Sequence, residues 1–168
     1  DQLSGHGAHQ GIVAFAAERN YSSIEEILAY AAERGEAPFL ILCDGIEDPG
    51  NLGAVIRSAE CLGAHGVVIP KRRAVGLSAT VAKASAGAIE YMRVARVTNL
   101  TQAMEELKEK GVWIYGTDMG GTPYDETDFH GAVALVLGSE GSGMSRLVRE
   151  TCDFTVSIPM CGHIDSMN

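Results

Sequence analysis

From Phe39 onward, short apolar runs alternate with segments whose apolar residues recur at helical spacing, and this alternation constrains the fold more than any other property of the chain. Residues 39–43, 67–69, 91–97, 112–115, 133–137 and 154–158 read as strands. Between them, residues 50–62 place Leu52, Val55, Ile56, Ala59 and Leu62 at helical spacing and close on Gly63, while 78–86, 100–110 and 142–150 supply further helices. Ahead of this alternation, residues 10–16 predict a strand. Ser22 and Ser23, with Glu three residues on, carry the capping-box signature of a helix ending near Gly35. Residues 117–131 are glycine-rich and read as a loop. Neighbouring parallel strands need long crossovers, and this pattern provides them, so the expected fold is α/β: an open, mainly parallel sheet with helices on both faces.

A chain of 168 residues suits one domain, and 46% hydrophobic with 21% charged residues is a globular composition rather than a disordered one. No apolar run approaches the roughly 20 residues that cross a bilayer, and no basic-then-apolar stretch opens the chain, so neither a membrane nor secretion is expected. Cys43, Cys61, Cys152 and Cys161 are widely spaced with no C-x-x-C pair, which suggests reduced thiols in cytoplasm rather than a zinc site or disulfide scaffold. The formal charge of −9 disfavours indiscriminate binding to nucleic acid. Its distribution is uneven: from Pro49 to Arg96 seven cations (Arg57, Lys71, Arg72, Arg73, Lys83, Arg93 and Arg96) face only Glu60 and Glu90. That local +5 is compatible with a polyanion-facing edge or with an ordinary solvated surface.

Ligands of open α/β sheets sit beyond the carboxyl ends of the strands, which directs attention to three post-strand segments. Gly138-Ser-Glu-Gly-Ser-Gly143 follows an apolar run and precedes an expected helix, where backbone N–H groups could meet an anion. It lacks the lysine of a phosphate loop, and Glu140 would oppose a phosphate; an uncharged or cationic ligand such as S-adenosylmethionine, or a simple tight turn, fits as well. In Asp48-Pro-Gly-Asn-Leu-Gly-Ala-Val-Ile-Arg57, Asn51 could cap a helix, and Arg57 follows about one and a half turns later, where a guanidinium can grip a phosphodiester and polarise a hydroxyl. The third segment, Ile158-Pro-Met-Cys-Gly-His-Ile-Asp-Ser-Met-Asn168, reads as a loop. Other candidates are weaker. His6 and His9 lie in a polar opening, His163 and Asp165 have no nucleophile to complete a triad, and Trp113 is expected in the core.

Taken in series, Asn51-Leu-Gly-Ala-Val-Ile-Arg57, Leu135-Val-Leu-Gly-Ser-Glu-Gly-Ser-Gly-Met144 and Ile158 to Asn168 resemble the three motifs of the SpoU (TrmH-like) ribose 2′-O-methyltransferases of the SPOUT superfamily. The likeness extends over roughly Phe39 to Asn168. The entry His9-Gln-Gly-Ile-Val-Ala14 and Lys83-Ala-Ser-Ala-Gly-Ala88 look most like RlmB-type enzymes, which methylate a guanosine of large-subunit ribosomal RNA. The resemblance implies a C-terminal trefoil knot, a homodimer with each site completed near the subunit boundary, and S-adenosylmethionine as cofactor with no metal. It implies that Gly138, Ile158, Met160 and Met167, with Thr117 as a neighbour, cradle that cofactor. Arg57 would bind the RNA phosphate and assist deprotonation of the ribose hydroxyl, and Asn51, Glu140, Ser166 and Asn168 would order the catalytic site. Lys71, Arg72 and Arg73 join Arg57 as the expected RNA contacts. Met167 replaces the usual Leu, and Cys161 stands where Ser or Ala is more common. By the same resemblance, residues 1–10 are expected to be a linker from an N-terminal RNA-binding domain, and 11–168 the catalytic domain without its C-terminal helix. A transfer RNA substrate and a noncatalytic RNA-binding module are the competing expectations.

Overall fold

The computed structural model describes residues 20–163; the strand expected at 10–16 and the residues Asp165, Ser166, Met167 and Asn168 lie outside the described residues. Six strands form one sheet: β1 (Phe39–Cys43), β2 (Gly66–Pro70), β3 (Val94–Val97), β4 (Trp113–Pro123), β5 (Val133–Leu137) and β6 (Phe154–Ser157), in the order β3-β2-β1-β5-β4-β6. Every pairing is parallel. Helices α1 (Ile24–Glu33), α2 (Pro49–Cys61), α3 (Ala79–Ala84), α4 (Leu100–Glu109) and α5 (Arg146–Thr151) occupy both faces, so the α/β layering expected from the alternation is the one observed.

Strand alternation explains the two layers, because successive side chains leave opposite faces of the pleat. Leu40 and Leu42 of β1, with Ala134 and Val136 of β5, meet Ile24 and Ile27 of α1, Leu100, Met104 and Leu107 of α4, and Val148 of α5. Ile41 and Cys43, with Val67 and Ile69 of β2, meet Leu52 and Ile56 of α2 and Val81 of α3. Each buried Leu or Ile contributes roughly 1.5–3 kcal/mol of transfer free energy, so these clusters fix the sheet between its helices. Close backbone approach fixes the second layer further: a Cβ on Gly53 would lie 2.4 Å from the Ala84 Cβ, and α2 therefore packs directly on α3. The capping box of α1 forms as read, with Ser23 as cap and Glu26 as its reciprocal partner.

Four expectations require correction. Residues 117–131 are not all loop: β4 runs to Pro123 and a 3-10 turn spans Tyr124–Glu126, because Gly121 lets β4 close on β6 where a Cβ would sit 2.6 Å from the Val156 backbone. The strand expected over 91–97 begins at Val94, since a 3-10 turn at Ala88–Glu90 precedes it and the Met92 N–H is taken by the Ala88 carbonyl. The helix expected from Ser142 begins at Arg146, displaced by a hairpin described below. Trp113 is 52% exposed rather than core, because the α2 and α3 layer does not extend over β4, leaving it against Phe154 at 5.7 Å between ring centroids. Among the described residues no helix is long and apolar enough to cross a membrane, and no group of three or more His, Cys, Asp or Glu could hold a metal ion.

Candidate active site

The loops after β1 and β5 meet at the carboxyl edge of the sheet, because β1 and β5 are direct neighbours in register from Phe39↔Val133 to Cys43↔Leu137. The Asp44 N–H extends that ladder by donating to the Leu137 carbonyl at 2.8 Å. Two residues of the β1 loop then shape the start of α2. Asp48 is its cap, accepting the Asn51 backbone N–H at 2.8 Å, and Pro49 follows at the first helical position, where its missing N–H costs nothing. This settles the alternative left open for Asn51. Its backbone is capped by Asp48, and its side-chain amide is turned outward to donate to Glu140 Oε2 at 3.4 Å.

Glu140 rides on a hairpin. Ser139 and Gly143 exchange both backbone hydrogen bonds, at 3.0 and 2.9 Å, and the Ser139 and Ser142 hydroxyls bond across the turn at 2.7 Å. Gly143 takes a φ of 65°, the left-handed region that favours glycine. Gly138 answers a different demand. A Cβ there would fall 2.2 Å from the Gly143 carbonyl carbon and 2.3 Å from the Met144 nitrogen, so its glycine is required by the chain's own closure. Gly141, at the tip, has nothing within 4 Å of its added Cβ and leaves room for a flat group against the hairpin. The hairpin is also tied at its base: Asp44 Oδ2 accepts the Ser145 N–H at 2.6 Å, capping α5 from a distant loop where the Ser145 side chain forms no cap.

Thr117 of β4 lies beside this hairpin, its hydroxyl donating to the Val136 carbonyl at 2.9 Å, two residues before Gly138. Beyond it, residues 118–121 bulge between the two pairings of β4 with Val156, and Ser157 donates to the Gly121 carbonyl at 2.9 Å. Ile158 and Met160 emerge just past this clasp, both exposed. The structure therefore brings Asn51, Glu140, Gly138 and Thr117 to one edge of the sheet, with Ile158 and Met160 at its end. Arg57 is exposed about one and a half turns down α2 from Asn51, and no hydrogen bond or ion pair joins its side chain to a described residue. Lys71, Arg72 and Arg73 form an exposed loop after β2, beside the β1 loop through the Val75 N–H to Ile46 carbonyl bond of 3.1 Å.

Two thiols near this region, Cys43 and Cys152, are held protonated. Burial pushes Cys43 up to about 12 and Cys152, chiefly by burial and then by Asp153, up to about 11. Neither offers a thiolate nucleophile at neutral pH. A cavity of about 400 Å³ lies along β4 and β6, lined by Trp113, Tyr115, Thr122, Asp128, Phe154 and Val156. Sequence reading missed Asp44, for which no local signal exists, and Asp48, for which one does: an Asp directly before Pro is the start signature of a helix.

A family model described as "SpoU rRNA Methylase family" matches residues 38–168. A TrmH-family tRNA/rRNA methyltransferase of Bacillus subtilis, by the name it carries, is 52% identical over 163 residues, covering 96% of this chain and 66% of that protein. A Staphylococcus aureus protein of the same description is 47% identical over 161 residues, covering 95% of this chain and 65% of its own length. The SpoU methyltransferase AviRb of Streptomyces viridochromogenes, solved with AdoMet, superposes with a TM-score of 0.72 at 32% identity, over 79% of this chain and 53% of that one. An AdoMet-bound rRNA methyltransferase of Sinorhizobium meliloti gives a TM-score of 0.77 at 26% identity, over 90% of this chain and 56% of its own. The chain thus spans just under two thirds of the length of these curated relatives.

Proposed function

The chain belongs to the SpoU rRNA methylase family, and from that premise we propose that it catalyses S-adenosylmethionine-dependent 2′-O-methylation of a guanosine ribose in large-subunit ribosomal RNA. The observation that carries this reading is the junction of the first two motif loops through Asn51 and Glu140, in a chain matched by the family along 38–168. The donor chemistry of the edge fits the cofactor. It offers backbone groups of a glycine hairpin, open space at Gly141 and the Glu140 carboxylate, which suit an uncharged ring and a sulfonium better than a phosphate. Gly138, Thr117, Ile158, Met160 and Met167 are proposed to hold it. When bound, that cofactor would supply an activated methyl group on a sulfonium sulfur, for transfer to the ribose 2′-oxygen with the carbon–sulfur electron pair left on sulfur.

The chain's own residues act by orientation and electrostatics. Arg57 is proposed to hold the phosphate beside the target ribose and stabilise the oxygen as its proton leaves; with a guanidinium always charged, it contributes field and geometry rather than base strength. Asn51, Glu140, Ser166 and Asn168 order the site, and aligning the attacking oxygen with the methyl group supplies much of the acceleration. Lys71, Arg72 and Arg73 extend the RNA contact. Residues 11–168 are proposed as the catalytic domain, preceded by the linker 1–10. A homodimer in which each site is completed near the subunit boundary is proposed on the family likeness. A trefoil knot is proposed at the C-terminal end on the family likeness. Cytoplasm is the expected compartment.

Transfer RNA is the second substrate reading, favoured by the tRNA/rRNA description that the Bacillus relative carries. The test supplies unmodified large-subunit rRNA or tRNA with methyl-labelled cofactor and digests the product to nucleosides. The reading expects 2′-O-methylguanosine from the rRNA. It expects Arg57→Ala to bind S-adenosylhomocysteine normally and lose transfer. Methylation of tRNA alone selects the second reading, and near-normal turnover in Arg57→Ala overturns the role of that residue.

A further inference from the structure

The loop that carries Lys71, Arg72 and Arg73 is held far more firmly than a solvated basic turn needs to be. Its first residue continues the sheet, the Lys71 N–H donating to the Val97 carbonyl at 2.8 Å, while Arg96 Nη2 donates to the Lys71 carbonyl at 3.4 Å. Its middle is tied to the β1 loop by the Val75 to Ile46 bond. Its end is tied to Tyr21, whose hydroxyl accepts the Leu77 N–H at 2.9 Å. Arg96 in turn lies over the Tyr21 ring, with its guanidinium carbon 5.4 Å from the centroid. Between these ties Arg73 adopts a φ of 55°, a left-handed conformation that costs a non-glycine residue about 1 kcal/mol or more.

Three adjacent cations repel one another, and among the described residues none of the three has an ion pair or side-chain hydrogen bond to relieve that repulsion. A strained, pinned and uncompensated array of this kind gains most from an anion with several charges at regular spacing. We propose that Tyr21 and Arg96 fix residues 71–77 as a preformed cradle for the phosphodiester backbone of an RNA strand, leading that strand toward α2 and Arg57. The inference rests on the reading of the chain as an RNA methyltransferase and adds two positioning residues to it. The Ile46 tie places the cradle beside the loop that leads into α2 and Asn51, so the polyanion bound there is the substrate's own backbone. Fixing the loop before binding removes ordering entropy from the association, so affinity depends on the pins as well as on the charges.

The two contributions separate in a salt titration. Full-length protein is titrated into a labelled hairpin of unmodified large-subunit rRNA, with anisotropy recorded from low to high salt, and each variant is also titrated with S-adenosylhomocysteine to confirm its fold. Arg72→Ala and Arg73→Ala each lower the slope of log affinity against log salt by about 0.7–0.9, one phosphate contact's worth. Tyr21→Phe keeps the ring under Arg96 and removes only the acceptor for Leu77; it weakens RNA binding about 5-fold while leaving the salt slope unchanged, as expected for loss of one hydrogen bond that orders the loop. An unchanged slope in both arginine variants, or an unchanged affinity in Tyr21→Phe, overturns the cradle. Those failures are distinct from failure of the functional reading, which appears as absence of methyl transfer by the unsubstituted protein.

Discussion

Replacing Gly138 with alanine asks whether that glycine serves the ligand or the chain. The added Cβ would sit 2.2, 2.3 and 2.7 Å from the Gly143 carbonyl carbon, the Met144 nitrogen and the Gly143 oxygen, where ordinary contact begins at 3.4 Å. All three are backbone atoms, so no side chain can rotate away. The hairpin must open by about 1 Å, which strains the reciprocal Ser139–Gly143 bonds. Overpacking of this kind costs about 1–3 kcal/mol, and the reduced freedom of alanine in the unfolded chain returns about 0.4–1 kcal/mol. The net loss is about 1.3 kcal/mol, equivalent to about 3–5 °C in Tm for a domain of this size. The matched control is Gly141→Ala in the same hairpin, which meets nothing within 4 Å and needs no left-handed φ. Urea denaturation of the two variants without ligand is the assay. Equal losses in both variants, or a loss below about 0.5 kcal/mol in Gly138→Ala, would refute the assignment of Gly138 to chain closure.

Other consequences follow from the same geometry. Asp44→Ala removes the cap of α5 at Ser145 and should lower stability by about 1 kcal/mol in urea denaturation, whereas Asp44→Asn, which keeps an acceptor, should recover part of that loss. At pH 8 a thiol reagent should titrate exposed Cys61 and Cys161 rapidly, and Cys43 only on unfolding. Cys43 also sets an alkaline limit. Below pH 9.0 its thiol is protonated in both folded and unfolded chains and contributes no pH dependence, while between 9.0 and about 12 only the unfolded chain ionises, so stability should fall with rising pH by up to about 1.4 kcal/mol per unit. Cys43→Ser should remove most of that slope above about pH 11 and leave, below it, the part that Cys152 contributes.

The layered fold was legible because its signals are local. Ser23 with Glu26, the apolar run Leu40, Ile41 and Leu42, and the helical spacing of Leu52, Ile56 and Ala59 each announce an element within a few residues. The strand order was not legible, since nothing in β5 names β1 and β4 as its neighbours. Ser142 and Gly143 read as a helix start, with a tight turn as the alternative, because glycine after an apolar strand serves both, and only the reciprocal Ser139–Gly143 bonds distinguish them. Trp113 was assigned to the core from its strand position, whereas its exposure depends on how far a distant helical layer reaches. Asn51 and Glu140 were named separately; their meeting across 89 residues is a tertiary fact. Asp44 escaped altogether, since its partner Ser145 lies 101 residues away.

The most direct test of the central claim is a calorimetric titration of the protein with S-adenosylhomocysteine, because every step of the proposed chemistry requires a pocket formed by the Gly138–Gly143 hairpin, Thr117 and the segment from Ile158. Saturable binding of one molecule per chain with a Kd on the order of micromolar is the predicted result. Absence of binding to full-length protein that still unfolds cooperatively would contradict it.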